Sequence, residues 1–186
     1  MGQSVHELLA GWESFYVISG SVAGALIGLQ FVVIALVAES RRRATGPEIA
    51  AFGTPTVLHF SVALLLAALL TVPWTSLTGV QIAAATCGAA GVLYDMITIW
   101  RAGHTKEYQP GLEDWVWHAA LPLTAHLTLI AAATLLSQRA VLALGLIAGV
   151  TLGLVFIGIH NSWDTITFIA TDARHRGPDA TRSARD

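Results

Sequence analysis

Five long apolar runs, separated by short polar or proline-marked breaks, organise this chain. About 20 apolar residues, wound at roughly 1.5 Å per residue, cross the hydrocarbon of a bilayer. The pattern predicts an all-α integral membrane bundle of five helices, over 15–38, 55–74, 80–100, 115–136 and 140–170. They form one transmembrane domain, 1–170, followed by a polar tail, 171–186, expected to be disordered. Met1 to Ser14 holds no Lys or Arg, so the first run reads as a retained helix and not as a cleaved signal.

Local signals mark the ends. Thr54-Pro55 reads as an N-cap with proline at the first helical position, and Pro73 closes that helix. The short stretch Thr75 to Gly79 predicts a hairpin of the second and third helices. Pro110-Gly111 turns the chain ahead of Glu113 and Asp114, whose charges suit a helix N-terminus. Ser137-Gln138-Arg139 breaks the fourth run from the fifth.

Charge sets the direction. Arg41, Arg42 and Arg43 follow the first helix, Arg101 and Lys106 the third, and Arg174, Arg176, Arg182 and Arg185 the fifth. Five spans gather these on one side and leave Arg139 on the other, so the N-terminus is expected outside and the C-terminus in the cytoplasm. Trp12, Phe15, Tyr16 and Trp74 are expected at the outer interface, and Trp100, Trp115, Trp117 and Trp163 at the inner one. Composition agrees: 54% of residues are hydrophobic and 12% charged, about half the charge of a soluble domain. A net charge of −2 gives nucleic acid no footing. The single cysteine, Cys87, can build neither a disulfide framework nor a thiolate metal site alone.

Two features stand out within the spans. Gly20, Gly24 and Gly28 on the first helix, and Gly145, Gly149 and Gly153 on the fifth, repeat every fourth residue. Such stripes let backbones approach closely, and their matched depth predicts parallel packing of these helices, within one chain or between chains. The second feature is a set of polar residues: Gln30, His59, Asp95, His118, His126, His160, Asn161 and Asp164. From the cytoplasmic end, His118 and His59 lie roughly 6–8 Å deep and Asp95 and Asp164 about 9 Å. Gln30 and His160 lie roughly 13–15 Å deep and His126 about 18 Å. Ionisable groups in a membrane turn towards protein or water, and these all fall in the cytoplasmic half or at its upper edge. His160 and Asp164 are one turn apart, and Pro122, between His118 and His126, is expected to kink its helix beside an imidazole.

Phe15-Tyr16 to Gly28-Leu29-Gln30-Phe31-Val32, Gly53-Thr54-Pro55-Thr56 with His59, and Gly158-Ile159-His160-Asn161-Ser162-Trp163-Asp164 resemble stretches of small multi-pass proteins of the bacterial inner membrane, a group of uncharacterised activity. The resemblance implies that location and no particular chemistry.

The residues themselves support three functional expectations. The leading one is a small homo-oligomeric pore for inorganic ions in the lipid bilayer. Ser19, Ala23 and Gln30 would line it, and the His/Asp cluster would act as a cation site, a proton site or a pH gate. It needs no cofactor. The second is a redox protein or enzyme in which His59, His118, His160 and Asp164 hold a divalent metal or haem. The third is a structural or regulatory membrane partner whose cluster only locks the bundle. No K⁺-filter sequence, Walker loop, H-E-x-x-H or paired C-x-x-C is present.

Overall fold

The computed structural model describes the backbone of residues 5–40, 46–104 and 111–175, and the side chains of 5–35, 56–102 and 111–167. Its elements are helical: α1 (Val5–Ala10), α2 (Glu13–Ser40), α3 (Gly46–Thr71), α4 (Leu77–His104), α5 (Leu112–Trp115), a π-helical turn (Val116–Ala120), α6 (Leu121–Leu135) and α7 (Ala140–His175). Four stretches are long and apolar enough to cross a membrane: Glu13–Ala35, Leu77–Ala102, Leu112–Leu135 and Ala140–Thr167. The described side chains of α3 add a shorter apolar stretch, Thr56–Thr71.

Large apolar side chains cover much of the outer surface, and alanines join large residues such as Phe60 and Leu66 in the core. Ile18, Leu93 and Phe156 point outwards, each more than half exposed, while Ala23, Ala63, Ala84, Ala132 and Ala143 are buried. In water the large residues would be the ones to hide. Lipid is as apolar as leucine, so large side chains lose nothing outside and small ones let helices close up inside.

Helix α2 packs on α3, α3 on α7, α7 on α6 and α6 on α4. The hairpin expectation meets a difference here: α3 and α4 are joined by a short turn, yet α4 lies mainly against α6. Trp74 holds the turn by donating its indole N–H to the carbonyl of Leu69 at 2.7 Å. A Cβ at Gly79 would come within 2.5 Å of that indole, so glycine is what lets α4 begin beneath it.

Several boundaries move. Helix α3 begins at Gly46, not at Thr54-Pro55, because Gly46-Pro47-Glu48 offers the same start signal earlier: a proline and an acid in the first turn. Helix α7 runs on to His175. The break at 137–139 stands, with Gln138 and Arg139 both donating to the carbonyl of Leu135. Tyr16 is a core residue, 1% exposed, and not an interfacial anchor. Arg41, Arg42, Arg43, Lys106, Arg176, Arg182, Arg185 and the tail beyond His175 lie outside the described residues.

The glycine stripes do not meet within the chain. A Cβ at Gly24, Gly28, Gly145, Gly149 or Gly153 would find no atom within 4 Å. Of the stripe glycines, Gly20 permits a close contact, but with α3: a Cβ there would lie 2.9 Å from Cβ of Ala67. Outside the stripes, a Cβ at Gly158 would strike the ring of buried Phe60 at 2.5–2.9 Å. Gly158→Leu is therefore expected to destabilise the chain by about 1–3 kcal/mol through overpacking. Gly149→Leu is expected to leave the chain's own fold intact and to alter only contacts between chains. Melting temperature and particle mass in detergent check both. A Gly149→Leu protein that melts early at unchanged mass would contradict this packing.

Candidate functional site

The site is built on the contact of α4 with α6. Gln81, Ala84, Gly88, Gly91 and Asp95 follow at spacings of three and four, so they share one face of α4. Gln81 Nε2 donates to the carbonyl of Ala133 at 3.1 Å and fixes the register. A Cβ at Gly88 would lie 2.7 Å from Ile130 Cγ1 and 3.0 Å from the carbonyl oxygen of His126. A Cβ at Gly91 would overlap the His126 ring itself. The two glycines bring α4 so near α6 that Asp95, one turn on, reaches the imidazole.

His126 Nδ1 and Asp95 Oδ2 are 2.7 Å apart, with both side chains almost wholly buried. With Asp95 ionised the carboxylate only accepts, and in that state Nδ1 carries the proton and donates. In the neutral ring this leaves Nε2 as the basic nitrogen. That atom is buried and has no hydrogen-bond partner among the described residues.

The depth estimate separates these two residues by about 9 Å, and the structure brings them together. Helix α4 continues past Trp100 to His104, which sets Asp95 roughly 6 Å deeper. The π-helical turn also shortens the rise before His126. Its cause is Pro122, which cannot donate to the carbonyl of His118. The chain widens by one residue there, and the N–H of Leu121 bonds the carbonyl of Val116. The expected kink thus takes the form of a π turn, and His118 rides on it.

His59 of α3 is 2% exposed and lies within electrostatic reach of both His126 and His118. Its Nδ1, and that of His118, are buried without a partner among the described residues. The direct contact here is that of His126 with Asp95, and His59 lies in the same neighbourhood.

A second group lies nearer the end where α4 stops and α5 starts. His160 stacks on Trp117, ring centroids 3.7 Å apart and planes at 6°. Its Nδ1 is 3.4 Å from Asp164 Oδ2, too poorly aligned for a hydrogen bond, and its Nε2 is 3.8 Å from exposed Glu113. Trp117 is therefore a partner of His160 and not a lipid-facing anchor. Gln30 is buried against α7, with Ser162 Oγ 3.5 Å from its Oε1. Ser162 donates its one proton at 2.8 Å to Gly158, so the link to Gln30 is weak. Asn161 is 1% exposed and neither polar side-chain atom has a partner among the described residues.

Of the residues expected at the site, Asp95 and His126 are brought into contact, His59 lies in the neighbourhood of His126 and His118, and His160 and Asp164 form a separate pair. Gly88, Gly91, Trp117 and Glu113 complete the site and were not anticipated. The small-residue face ending in Asp95 was the signal for the glycines. Ser19, Ala23 and Gln30 are buried inside the single chain. Among the described residues no three His, Cys, Asp or Glu side chains are placed to hold one metal ion, so His59, His118, His160 and Asp164 do not form a shared metal site. No protein-family model, no curated protein and no solved structure matches the chain.

Proposed function

We propose that the chain is one subunit of a homo-oligomeric ion pore in the bacterial inner membrane, with the buried His/Asp cluster as its pH gate. The carrying observation is the 2.7 Å His126–Asp95 contact, closed to solvent yet leaving His126 Nε2 without a partner among the described residues. The pair carries one negative charge while the imidazole is neutral and none once it is protonated. That change falls on a close contact of two helices, where it biases their packing. Burial of Ser19, Ala23 and Gln30 argues that this face is not the pore wall. The open glycine faces of α2 and α7 are the natural contacts between subunits, with the conduction path between chains.

In this reading α3 is the fifth span, the N-terminus is outside and the C-terminus cytoplasmic. The basic residues gathered on one side support that orientation. A reporter after Asp186 is expected in the cytoplasm and one before Gly2 outside; the same side for both removes the five-span reading. Protein in liposomes is expected to pass ions with a rate that changes between about pH 5 and pH 8, where histidine titrates. His126→Gln is expected to abolish that pH dependence. Absence of flux at every pH would sink the pore.

A further inference from the structure

An imidazole has two nitrogens, and its charge decides what each can do. The neutral ring carries one N–H and one lone pair, while the imidazolium carries two N–H groups and accepts nothing. His160 of α7 presents its two nitrogens to two different carboxylates. Nδ1 lies 3.4 Å from Asp164 Oδ2, one turn on along the same helix. Nε2 lies 3.8 Å from Glu113 Oε1, in the first turn of α5. A neutral ring can donate to one of these and must turn a lone pair on the other. The imidazolium donates to both.

The stacking partner suits the same form. The His160 ring lies flat on Trp117, with centroids 3.7 Å apart. A cation over an indole face within about 6 Å is attracted by the quadrupole of the indole. Two carboxylates and one aromatic face thus all gain from a charge on this ring. Neither carboxylate contact is closed in this structure. Charge-assisted N–H···O bonds run at about 2.7–2.9 Å, and both distances here exceed that. Nδ1 has no hydrogen bond among the described residues. Glu113 has room to close up, because its side chain is 77% exposed, while His160 and Asp164 are held by their helix.

We infer that His160 is a proton-operated clamp that, once protonated, ties Glu113 of α5 to Asp164 of α7 across the face of Trp117, and once neutral lets Glu113 go. In the step, a hydronium gives its proton to the lone pair of the ring. One N–H bond forms, one O–H bond breaks, and water remains. The start of α5, and with it the π turn that carries Trp117, is therefore fastened to α7 in acid and loosened as the pH rises. The clamp goes beyond the His126 gate and depends neither on that gate nor on the pore.

The titratable groups of the neighbouring elements are otherwise engaged or lie deeper. Asp114, the second acid of α5, accepts from the N–H of Gly111 at 2.9 Å. His126 of α6 is tied to Asp95 of α4. His59 of α3 is buried in the neighbourhood of His126 and His118, the latter on the π turn. Helix α2 brings Gln30 to Ser162 of α7, and an amide does not titrate. Glu113 and Asp164 stand within 4 Å of the ring nitrogens of His160 and supply the charge the clamp closes on.

The test uses the full chain in bilayer discs. Nitroxide labels are placed on Leu112→Cys of α5 and Trp163→Cys of α7, both exposed positions, with Cys87→Ala removing the native thiol. Pulsed electron resonance reads the distance between the two labels. In unlabelled protein, tryptophan emission reads the charge on His160, because an imidazolium stacked on an indole quenches it. From about pH 8 to about pH 5, where histidine titrates, the distance distribution is expected to narrow and the emission to fall. Trp117→Phe is expected to lose the emission change and keep the narrowing. Glu113→Gln is expected to keep the emission change and lose the narrowing, since an amide offers no charge to the imidazolium. His160→Gln is expected to lose both. A distance distribution indifferent to pH would overturn the clamp, and so would narrowing that survives in Glu113→Gln or in His160→Gln. The labelled parent decides the first point alone, so a variant that fails to fold does not. Narrowing in protein that passes no ions in liposomes removes the pore and leaves the clamp.

Discussion

Gly91→Ala is expected to dismantle the site although it adds a single methyl group. The new Cβ would occupy the space of the His126 ring and reach Nε2 at 2.5 Å. The ring cannot yield, because it is fully buried and its Nδ1 is tied to Asp95 on the same face of α4. Helix α4 must then back away from α6. The same shift opens the contact at Gly88, where the neighbours are Ile130 and the backbone of α6. Overpacking costs about 1–3 kcal/mol in a close-packed interior, and loss of the His126–Asp95 bond adds to that. The expected result is a lower melting temperature together with loss of pH-dependent flux. Gly145→Ala is the control for melting temperature alone, because within the chain its Cβ meets nothing within 4 Å and alanine is the better helix former. A Gly91→Ala protein that melts and titrates like the parent would show that α4 and α6 are not held this closely.

The contrast between those two glycines shows how much the sequence can tell. Membrane character, the helical class and the breaks at Pro73 and Ser137–Arg139 are legible because hydrophobic length and proline act locally. The polar inventory is legible because an ionisable residue in an apolar run is conspicuous. Partnership is not. Gly145, Gly149 and Gly153 form the more regular stripe and face open space, while Gly88 and Gly91, three apart, make the tight contact. A glycine's neighbours depend on which helix lies opposite, and that is set by the whole bundle. Depth misleads for a related reason. Asp95 and His126 seem to lie apart when each is counted from its tryptophan at uniform rise. A longer α4 and the π turn bring them level. The π turn is half legible: Pro122 announces a broken hydrogen bond, but whether the chain bends or widens depends on what packs beside it.

Separating a structural lock from a proton site calls for a substitution cycle on the buried pair. Asp95→Leu alone leaves His126 Nδ1 without its acceptor, and His126→Leu alone leaves a carboxylate with no partner in an apolar surround. Breaking a buried pair on one side costs on the order of 3–5 kcal/mol, mostly the cost of the group left behind. Each single variant is therefore expected to melt well below the parent. The double leucine variant removes both polar groups and fills the space with apolar atoms, an exchange that ranges from neutral to stabilising. It is expected to recover most of the lost stability, giving a large coupling energy between the two positions. Stability alone does not assign a role, so Asp95→Asn is the decisive member. An amide oxygen still accepts from Nδ1, and the shape is nearly unchanged. What it lacks is the negative charge that balances an imidazolium. Asp95→Asn is thus expected to fold and assemble, while losing the pH response of the flux. The double leucine variant is expected to be stable and equally insensitive to pH. Melting curves and liposome flux across about pH 5 to pH 8 read out both properties. If Asp95→Asn and the double leucine variant keep the parent's pH response, the pair is a packing element and the gate lies elsewhere.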